Sequence, residues 1–229
     1  MDSGVRACVF DAYGTLFDVH SAAEREAGRL GIDLAPLSAL WRQKQLEYSW
    51  LRSLMGRHVD FAQVTADALD FALEAQRISE PGLRKRLLGL YDRLEPYSDA
   101  RPCLQRLRER GLTTAILSNG SPAMLAAALA AARLGALLDE VLSIEDVGAF
   151  KPTPDVYGLA VERLKLPQET LLFVSANGWD VAGAAAFGLR VAWLNRSGAP
   201  RERLGIEPDL IIRNLAELEE FLEPQGHRL

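Results

Sequence analysis

The sequence predicts an α/β fold, with a Rossmann-like, mostly parallel sheet core and an inserted helical cap subdomain. From about residue 99 onward, short apolar runs alternate with segments of helical periodicity, a pattern typical of right-handed β–α–β crossovers. Between residues 18 and 98, strand-like runs are almost absent and helical patterns dominate. We therefore predict a core domain of residues 1–17 and 99–229, and a cap subdomain of residues 18–98.

Six short apolar runs are predicted as the strands of one sheet. They are Val5–Phe10, Thr113–Leu117, Glu140–Ser143, Leu171–Val174, Arg190–Leu194 and Asp209–Ile212. The segments between the later strands are predicted as the helices that cover the two faces of the sheet. These are Ala100–Arg110, Pro122–Leu134, Thr153–Leu164, Asp180–Phe187 and Leu215–Leu222.

The inserted segment is predicted to be helical, most clearly over Leu37–Met55 and Phe61–Ala75. It begins directly after the loop that follows the first strand, near Asp18, and it ends near residues 96–99. Entry and exit should therefore lie close together in space. This arrangement predicts a cap over the ligand-binding edge of the sheet.

Composition excludes several classes of function. The chain has 229 residues, of which 48% are apolar and 25% charged, as in ordinary globular proteins. A net charge of −5 argues against a surface for nucleic acid or anionic membranes. Two cysteines, Cys8 and Cys103, cannot form a disulfide framework, and Cys8 is expected in the core. With neither a membrane-spanning run nor a signal pattern, a cytosolic location is predicted.

Polar side chains follow four of the predicted strands, at the edge where ligands bind in open α/β sheets. They are Asp11 and Thr15, Ser118 and Asn119, Lys151, and Ser175, Asn177 and Asp180. Each has an ordinary structural explanation: Asp180, for example, suits a helix N-cap as well as a catalytic role. Because all four loops meet at one edge, their combination predicts an active site with Asp11 as its nucleophile.

The motifs at this edge resemble those of the haloacid dehalogenase superfamily, most closely its L-2-haloacid dehalogenases. The matching segments are Asp11-x-Tyr13-Gly14-Thr15, Leu117-Ser118-Asn119-Gly120, Lys151-Pro152 and Ser175-Ala176-Asn177-Gly178-Trp179-Asp180. The segment Trp41–Tyr48 is similar to the cap helix that faces the substrate in that family. The resemblance extends from about Val5 to Leu222. It is most specific in the Ser-x-Asn-x-Trp-Asp segment and the cap helix.

This resemblance implies that (S)-2-haloacids are hydrolysed to (R)-2-hydroxyacids through an aspartyl ester. The implied catalytic residues are Asp11, Thr15, Lys151, Ser175, Asn177 and Asp180. The backbone after Asp11, at Ala12 and Tyr13, would hold the substrate carboxylate together with Ser118 and Asn119. Arg42 and Asn177 would receive the halide, while Leu46, Phe61 and Trp179 would form apolar walls. The partner is a small 2-haloalkanoate, and a homodimer is expected from the resemblance alone.

Two departures from the superfamily's phosphatases bear on the reaction. Position 13 carries tyrosine where phosphatases of this type have a second aspartate as general acid. Ser175 and Asn177 stand in the loop whose carboxylates would hold Mg²⁺, a cation that prefers oxygen ligands. A site with no metal and no cofactor is therefore expected, and His20, His58 and His227 are too scattered to suggest one. The alternatives are a Mg²⁺-dependent phosphatase or phosphonatase and a catalytically inactive binding module.

Overall fold

The computed structural model describes residues 4–222, so His227 and the outermost residues of the predicted core domain lie outside the described residues. Six parallel strands form one sheet in the order β3-β2-β1-β4-β5-β6. They are β1 (Ala7–Phe10), β2 (Thr113–Ser118), β3 (Glu140–Ser143), β4 (Leu171–Ser175), β5 (Arg190–Leu194) and β6 (Leu210–Ile212). The predicted α/β fold with a mostly parallel sheet is confirmed, and all six strand predictions overlap observed strands.

Nine α-helices lie in the described part of the chain. They are α1 (Ser21–Leu30), α2 (Ala35–Leu54), α3 (Phe61–Ala75), α4 (Leu83–Tyr91), α5 (Ala100–Glu109), α6 (Pro122–Ala132), α7 (Pro154–Leu164), α8 (Gly178–Phe187) and α9 (Leu215–Leu222). Short 3-10 turns occur at Gly135–Leu137, Ile144–Asp146 and Gln168–Thr170. None of these described helices is long and apolar enough to cross a membrane.

The central position of β1 places its carboxyl end in the middle of the sheet edge. All four residues of β1 are buried, and β1 pairs with β2 on one side and β4 on the other. Phe10 lies opposite Ile116 in β2 and Val174 in β4. The three strands therefore end at nearly the same level, and the backbone N–H of Asp11 donates to the carbonyl of Val174 at 2.9 Å. This register brings the three following loops together.

Helices α1 to α4 lie between two neighbouring points of the chain and pack against one another. The backbone N–H of Asp18 donates to the carbonyl of Glu95 at 2.8 Å, and that of Tyr97 donates to the carbonyl of Leu16 at 2.9 Å. Entry and exit of the inserted segment are thus joined side by side. We propose that this segment, residues 18–98, is a cap subdomain on the α/β core.

Two cap helices, α1 and α4, had no individual prediction, and one core helix begins earlier than predicted. The mean hydropathy of α1 is low, and it buries only Ala22, Ala23 and Glu26. Helix α4 is short and starts after Gly82, whose φ of 73° lies in the left-handed region. Helix α8 starts at Gly178 rather than at Asp180, because Asn177, its N-cap, is the last residue in the extended conformation.

Close packing of α8 on α7 depends on Gly183. A Cβ atom at this position would lie 2.5 Å from both the Pro152 Cβ and the Tyr157 hydroxyl oxygen. Gly183→Ala should therefore lower the free energy of unfolding by about 1–3 kcal/mol through overpacking. Gly28→Ala in α1 is the matched control: nothing lies within 4 Å of that Cβ, and a gain of about 0.5–1 kcal/mol is expected. Urea unfolding checks both; equal stability of Gly183→Ala and wild type would contradict this packing.

Candidate active site

The carboxylate of Asp11, directly after β1, is held by three donors. Its Oδ1 accepts a hydrogen bond from Lys151 Nζ at 3.1 Å. Its Oδ2 accepts from the Thr15 hydroxyl at 3.1 Å and from Asn177 Nδ2 at 2.9 Å. The side chain is only 8% exposed. These contacts fix the carboxylate in one orientation at the carboxyl edge of the sheet.

Lys151 joins Asp11 to a second buried carboxylate. Its Nζ also donates to Asp180 Oδ2 at 2.9 Å and lies 4.8 Å from the centre of the Phe173 ring. Burial alone would lower the pKa of Lys151, but the charges of Asp11 and Asp180 outweigh burial and raise this pKa above its usual value. The ammonium group is therefore charged at neutral pH.

Asp180 is fully buried and is the third residue of α8. Its Oδ1 accepts from the Tyr157 hydroxyl at 2.8 Å, while Oδ2 faces Lys151. Burial raises the pKa of Asp180, and the negative charge of Asp11 adds to this rise, although Lys151 opposes it. The N-cap alternative for Asp180 is wrong, since the residue that caps α8 is Asn177.

Tyr157 is the site residue that the sequence reasoning missed. It lies on α7, is completely buried and donates its hydroxyl to Asp180. Burial raises its pKa far above the usual tyrosine value, so the hydroxyl stays protonated. In the sequence it resembles any core aromatic residue of an amphipathic helix. The only signal was its place in the first turns of the helix that follows Lys151.

Hydroxyl groups at the strand ends mainly shape the loops around Asp11. Thr15 Oγ1 accepts from the Ala176 backbone N–H at 2.8 Å while it donates to Asp11. Ser175 Oγ accepts from the Asn177 backbone N–H at 3.1 Å. Across the site, Ser118 Oγ accepts from the Gly120 N–H at 3.1 Å.

Asn119 ties the loop after β2 to the loop of Lys151. Its Oδ1 accepts from the Lys151 backbone N–H at 3.0 Å. The structure thus places the four predicted loops against one another at one edge. Asn119 itself is 6% exposed, and Ser118 is fully buried.

Arg42 reaches the site from the cap helix α2. One Nη atom donates to the Tyr13 carbonyl and to Asn177 Oδ1, both at 3.3 Å. Asn177 Nδ2 in turn donates to Asp11 and, at 3.2 Å, to the same Tyr13 carbonyl. Arg42, a cation of the inserted helices, is therefore linked to the Asp11 carboxylate through the side chain of Asn177.

Apolar and aromatic side chains surround these polar groups. The Tyr13 ring packs between Phe61 and Tyr91, with centroids 5.7 and 5.5 Å apart, and burial raises its pKa well above the usual value. Leu46 and Trp179 line a cavity of about 440 Å³ that also reaches Arg42. Ala12 is buried, and its carbonyl accepts the backbone N–H groups of the following turn.

The polar groups present do not fit a magnesium ion. Mg²⁺ needs oxygen ligands in near-octahedral geometry. Here both Asp11 oxygens and the Tyr13 carbonyl already accept from N–H or O–H donors. Within residues 4–222 no group of three or more His, Cys, Asp or Glu side chains is placed to hold a metal. His20 and His58 instead bond Ser38 and Glu145, away from Asp11.

The buried Asp11, Lys151 and Asp180 meet at the carboxyl edge of a parallel sheet, where ligands bind in open α/β folds. The family model of haloacid dehalogenase-like hydrolases matches residues 5–188. The chain belongs to this family. It is 47% identical over 203 residues to (S)-2-haloacid dehalogenase 4A of Burkholderia cepacia, covering 88% of each chain. It is 46% identical over 219 residues to (S)-2-haloacid dehalogenase 1 of Pseudomonas sp. strain CBS-3, covering 95% of this chain and 96% of that one.

A solved structure gives the same likeness in three dimensions. The chain is similar to the L-2-haloacid dehalogenase of Xanthobacter autotrophicus with chloropropionic acid covalently bound. The TM-score is 0.88 at 39% sequence identity, with 97% of this chain and 100% of that chain covered. The similarity therefore includes both the sheet and the inserted helices.

Removing the cation between the two carboxylates should lower the free energy of unfolding by an amount that depends on pH. In Lys151→Met the pKa of Asp180 should rise further, since the charge of Lys151 is the largest of the effects that lower it. A carboxyl group whose pKa is higher in the folded state stabilises the fold at low pH, and that stability is lost as pH rises through the folded pKa. The deficit relative to wild type should reach about 3–5 kcal/mol at pH 8 and be smaller at pH 5.

Urea unfolding at both pH values checks this expectation. Lys44→Met is the control, because Lys44 pairs with the half-exposed Glu47 and should contribute no more than about 1 kcal/mol. A deficit for Lys151→Met that is the same at both pH values would contradict the described coupling.

Proposed function

We propose that the protein is a hydrolytic dehalogenase that converts (S)-2-haloacids to (R)-2-hydroxyacids and halide through an ester on Asp11. The observation that carries the proposal is the surroundings of Asp11. The Asp11 carboxylate accepts hydrogen bonds from three donors, which fix its orientation. Two residues later the chain has the buried Tyr13 instead of a second carboxylate. A halide leaves without a proton, so the general acid that an alcohol needs is not required.

In the first step, an oxygen of Asp11 attacks C2 of the substrate and displaces the halide. A bond forms between the Asp11 oxygen and C2, the carbon–halogen bond breaks, and C2 is inverted. Like charges about 4 Å apart repel by roughly 4 kcal/mol at an effective dielectric of 20, so the approach of the substrate carboxylate needs cations and donors. Lys151 supplies the nearest cation, and Ser118, Asn119 and the backbone at Ala12 and Tyr13 are proposed to hold the substrate carboxylate.

The departing halide needs a second positive group away from Lys151. Arg42 fits this role, together with Asn177: Asn177 contacts Asp11, Arg42 contacts Asn177, and both line the same cavity as Leu46 and Trp179. Apolar walls, including Phe61, keep water from the carboxylate during displacement. The two cations thus serve the two ends of one displacement reaction.

In the second step, water attacks the ester carbonyl carbon of Asp11. Asp180 accepts a proton from this water, and its raised pKa makes it a stronger base than an ordinary carboxylate. The C–O bond to the aspartyl carbon then breaks, and the proton on Asp180 passes to the hydroxy acid oxygen. The restored Asp11 carboxyl group releases the remaining proton to solvent. We propose that Thr15 and Ser175 keep the two loops in register, and that Tyr157 orients Asp180.

Halide release from both enantiomers of 2-chloropropionate tests the function. The (S) enantiomer should yield chloride and (R)-lactate, with the same rate in EDTA. The (R) enantiomer should yield little chloride. Hydrolysis of p-nitrophenyl phosphate that requires added Mg²⁺ would instead support the phosphatase alternative. The absence of halide from every 2-haloacid tried would support an inactive binding module.

Replacing Asp180 should separate the two steps. Asp180→Asn keeps the size of the side chain but removes the base, so ester hydrolysis should slow by about 10²–10³ while displacement continues. Intact-mass spectrometry after mixing with (S)-2-chloropropionate should show protein carrying one propionate group. Asp11→Ala is the control and should show neither turnover nor adduct. An Asp180→Asn protein that turns over with no adduct would contradict the assignment.

Two further expectations accompany this function. Cys8 and Cys103 are buried and are not joined in a disulfide, which fits a protein of the reducing cytoplasm, and burial raises the pKa of Cys8 to about 12. A homodimer is proposed from the likeness to the family.

A further inference from the structure

We propose that Gln45 is a positioning residue for Arg42, holding its guanidinium where the halide leaves without neutralising its charge. This inference rests on the proposed function, in which Arg42 receives the halide. Gln45 lies on α2, one helical turn after Arg42, so the two side chains share a face. Its side chain is buried, with 1% of the residue exposed.

Gln45 accepts a shorter hydrogen bond from Arg42 than either core acceptor does. Gln45 Oε1 accepts from Arg42 Nη1 at 2.7 Å, whereas the contacts of Nη2 with Tyr13 and Asn177 are 3.3 Å. The two guanidinium nitrogens are thus divided between two tasks. Nη1 is held by the cap, and Nη2 faces the core next to Asp11.

The orientation of the Gln45 amide is fixed by Thr65 on the neighbouring helix α3. The Thr65 hydroxyl donates its hydrogen to the Phe61 carbonyl at 2.7 Å, so its oxygen can only accept from Gln45 Nε2, also at 2.7 Å. The amide oxygen must then face Arg42. Tyr91 does not oppose this orientation, because its hydroxyl lies 3.1 Å from Nε2 and 3.2 Å from Oε1 and can either accept or donate.

A neutral acceptor is the suitable partner for an arginine that must stabilise a leaving anion. Two other buried or half-buried cations of this structure are paired with carboxylates: Lys151 with Asp180, and Arg196 with Asp99. Among the residues described, Arg42 has no carboxylate within ion-pair distance. Gln45 therefore holds the guanidinium by a hydrogen bond that leaves its charge available to the halide.

The test measures the displacement step alone, under single-turnover conditions, in Gln45→Leu protein. Halide release from (S)-2-chloropropionate should be about tenfold slower than in wild type, because one hydrogen bond to a charged group has been removed. Release from (S)-2-bromopropionate should fall less, since bromide is the better leaving group. The rate of ester hydrolysis should not change, whereas a general loss of structure would slow this step as well.

Gln63→Leu is the matched control: it is the same substitution on cap helix α3, at an exposed side chain bonded to Asp67. It should leave both steps unchanged. If Gln45→Leu fails to fold, Thr65→Val takes its place in the test, since it removes only the hydroxyl that orients the amide. Thr65→Val should slow chloride release about threefold, again more than bromide release.

Suppose that wild-type protein releases halide and that the variant releases it at the same rate from both substrates. This result would overturn the role of Gln45 but not the dehalogenase assignment. An equal loss on chloride and bromide substrates, with ester hydrolysis slowed too, would also overturn it. Wild-type protein that releases no halide would overturn the dehalogenase assignment and this role together.

Discussion

The rest of the site depends on one interaction, the buried contact of Lys151 with both Asp11 and Asp180. Two buried carboxylates would repel each other strongly, and each would carry a desolvation cost of several kcal/mol. A single ammonium group between them makes the arrangement stable and leaves one net negative charge. The parallel register of β1 and β4 brings together the loops that carry Asp11 and Asp180. The close approach of α7 to α8 at Gly183 brings the Tyr157 hydroxyl to the other carboxylate oxygen of Asp180.

The two positive groups of the proposed mechanism come from different parts of the chain. Lys151 belongs to the core and faces the nucleophile, whereas Arg42 belongs to the inserted helices and meets Tyr13 and Asn177. The leaving-group side of the site is therefore complete only when the inserted helices lie on the core. Gln45 and Thr65 are buried where α2 packs on α3, and through Gln45 this packing holds Arg42.

The sequence indicated which side chains meet where position in the sheet determines this. Asp11 and Lys151 could be predicted because parallel strands bring their carboxyl ends to one edge, and the observed contacts place them together. It failed where a residue's role depends on a distant partner. Tyr157 and Gln45 each have a polar group on a helix face that otherwise has the pattern of a buried face. The sequence does not indicate which group either side chain contacts. From the sequence, Asp180 could be the N-cap of a helix as well as a site residue. The observed start of α8 at Gly178 excludes the N-cap position.

The role of Asp11 as the nucleophile is tested most directly by following oxygen through one turnover. Excess protein is mixed with (S)-2-chloropropionate in water labelled with oxygen-18, and both lactate and the peptide containing Asp11 are analysed by mass spectrometry. We expect unlabelled lactate and label in the Asp11 carboxylate, because the hydroxyl oxygen of the product comes from Asp11. Labelled lactate with an unlabelled Asp11 would mean that water attacks C2 directly, and would contradict the proposed mechanism.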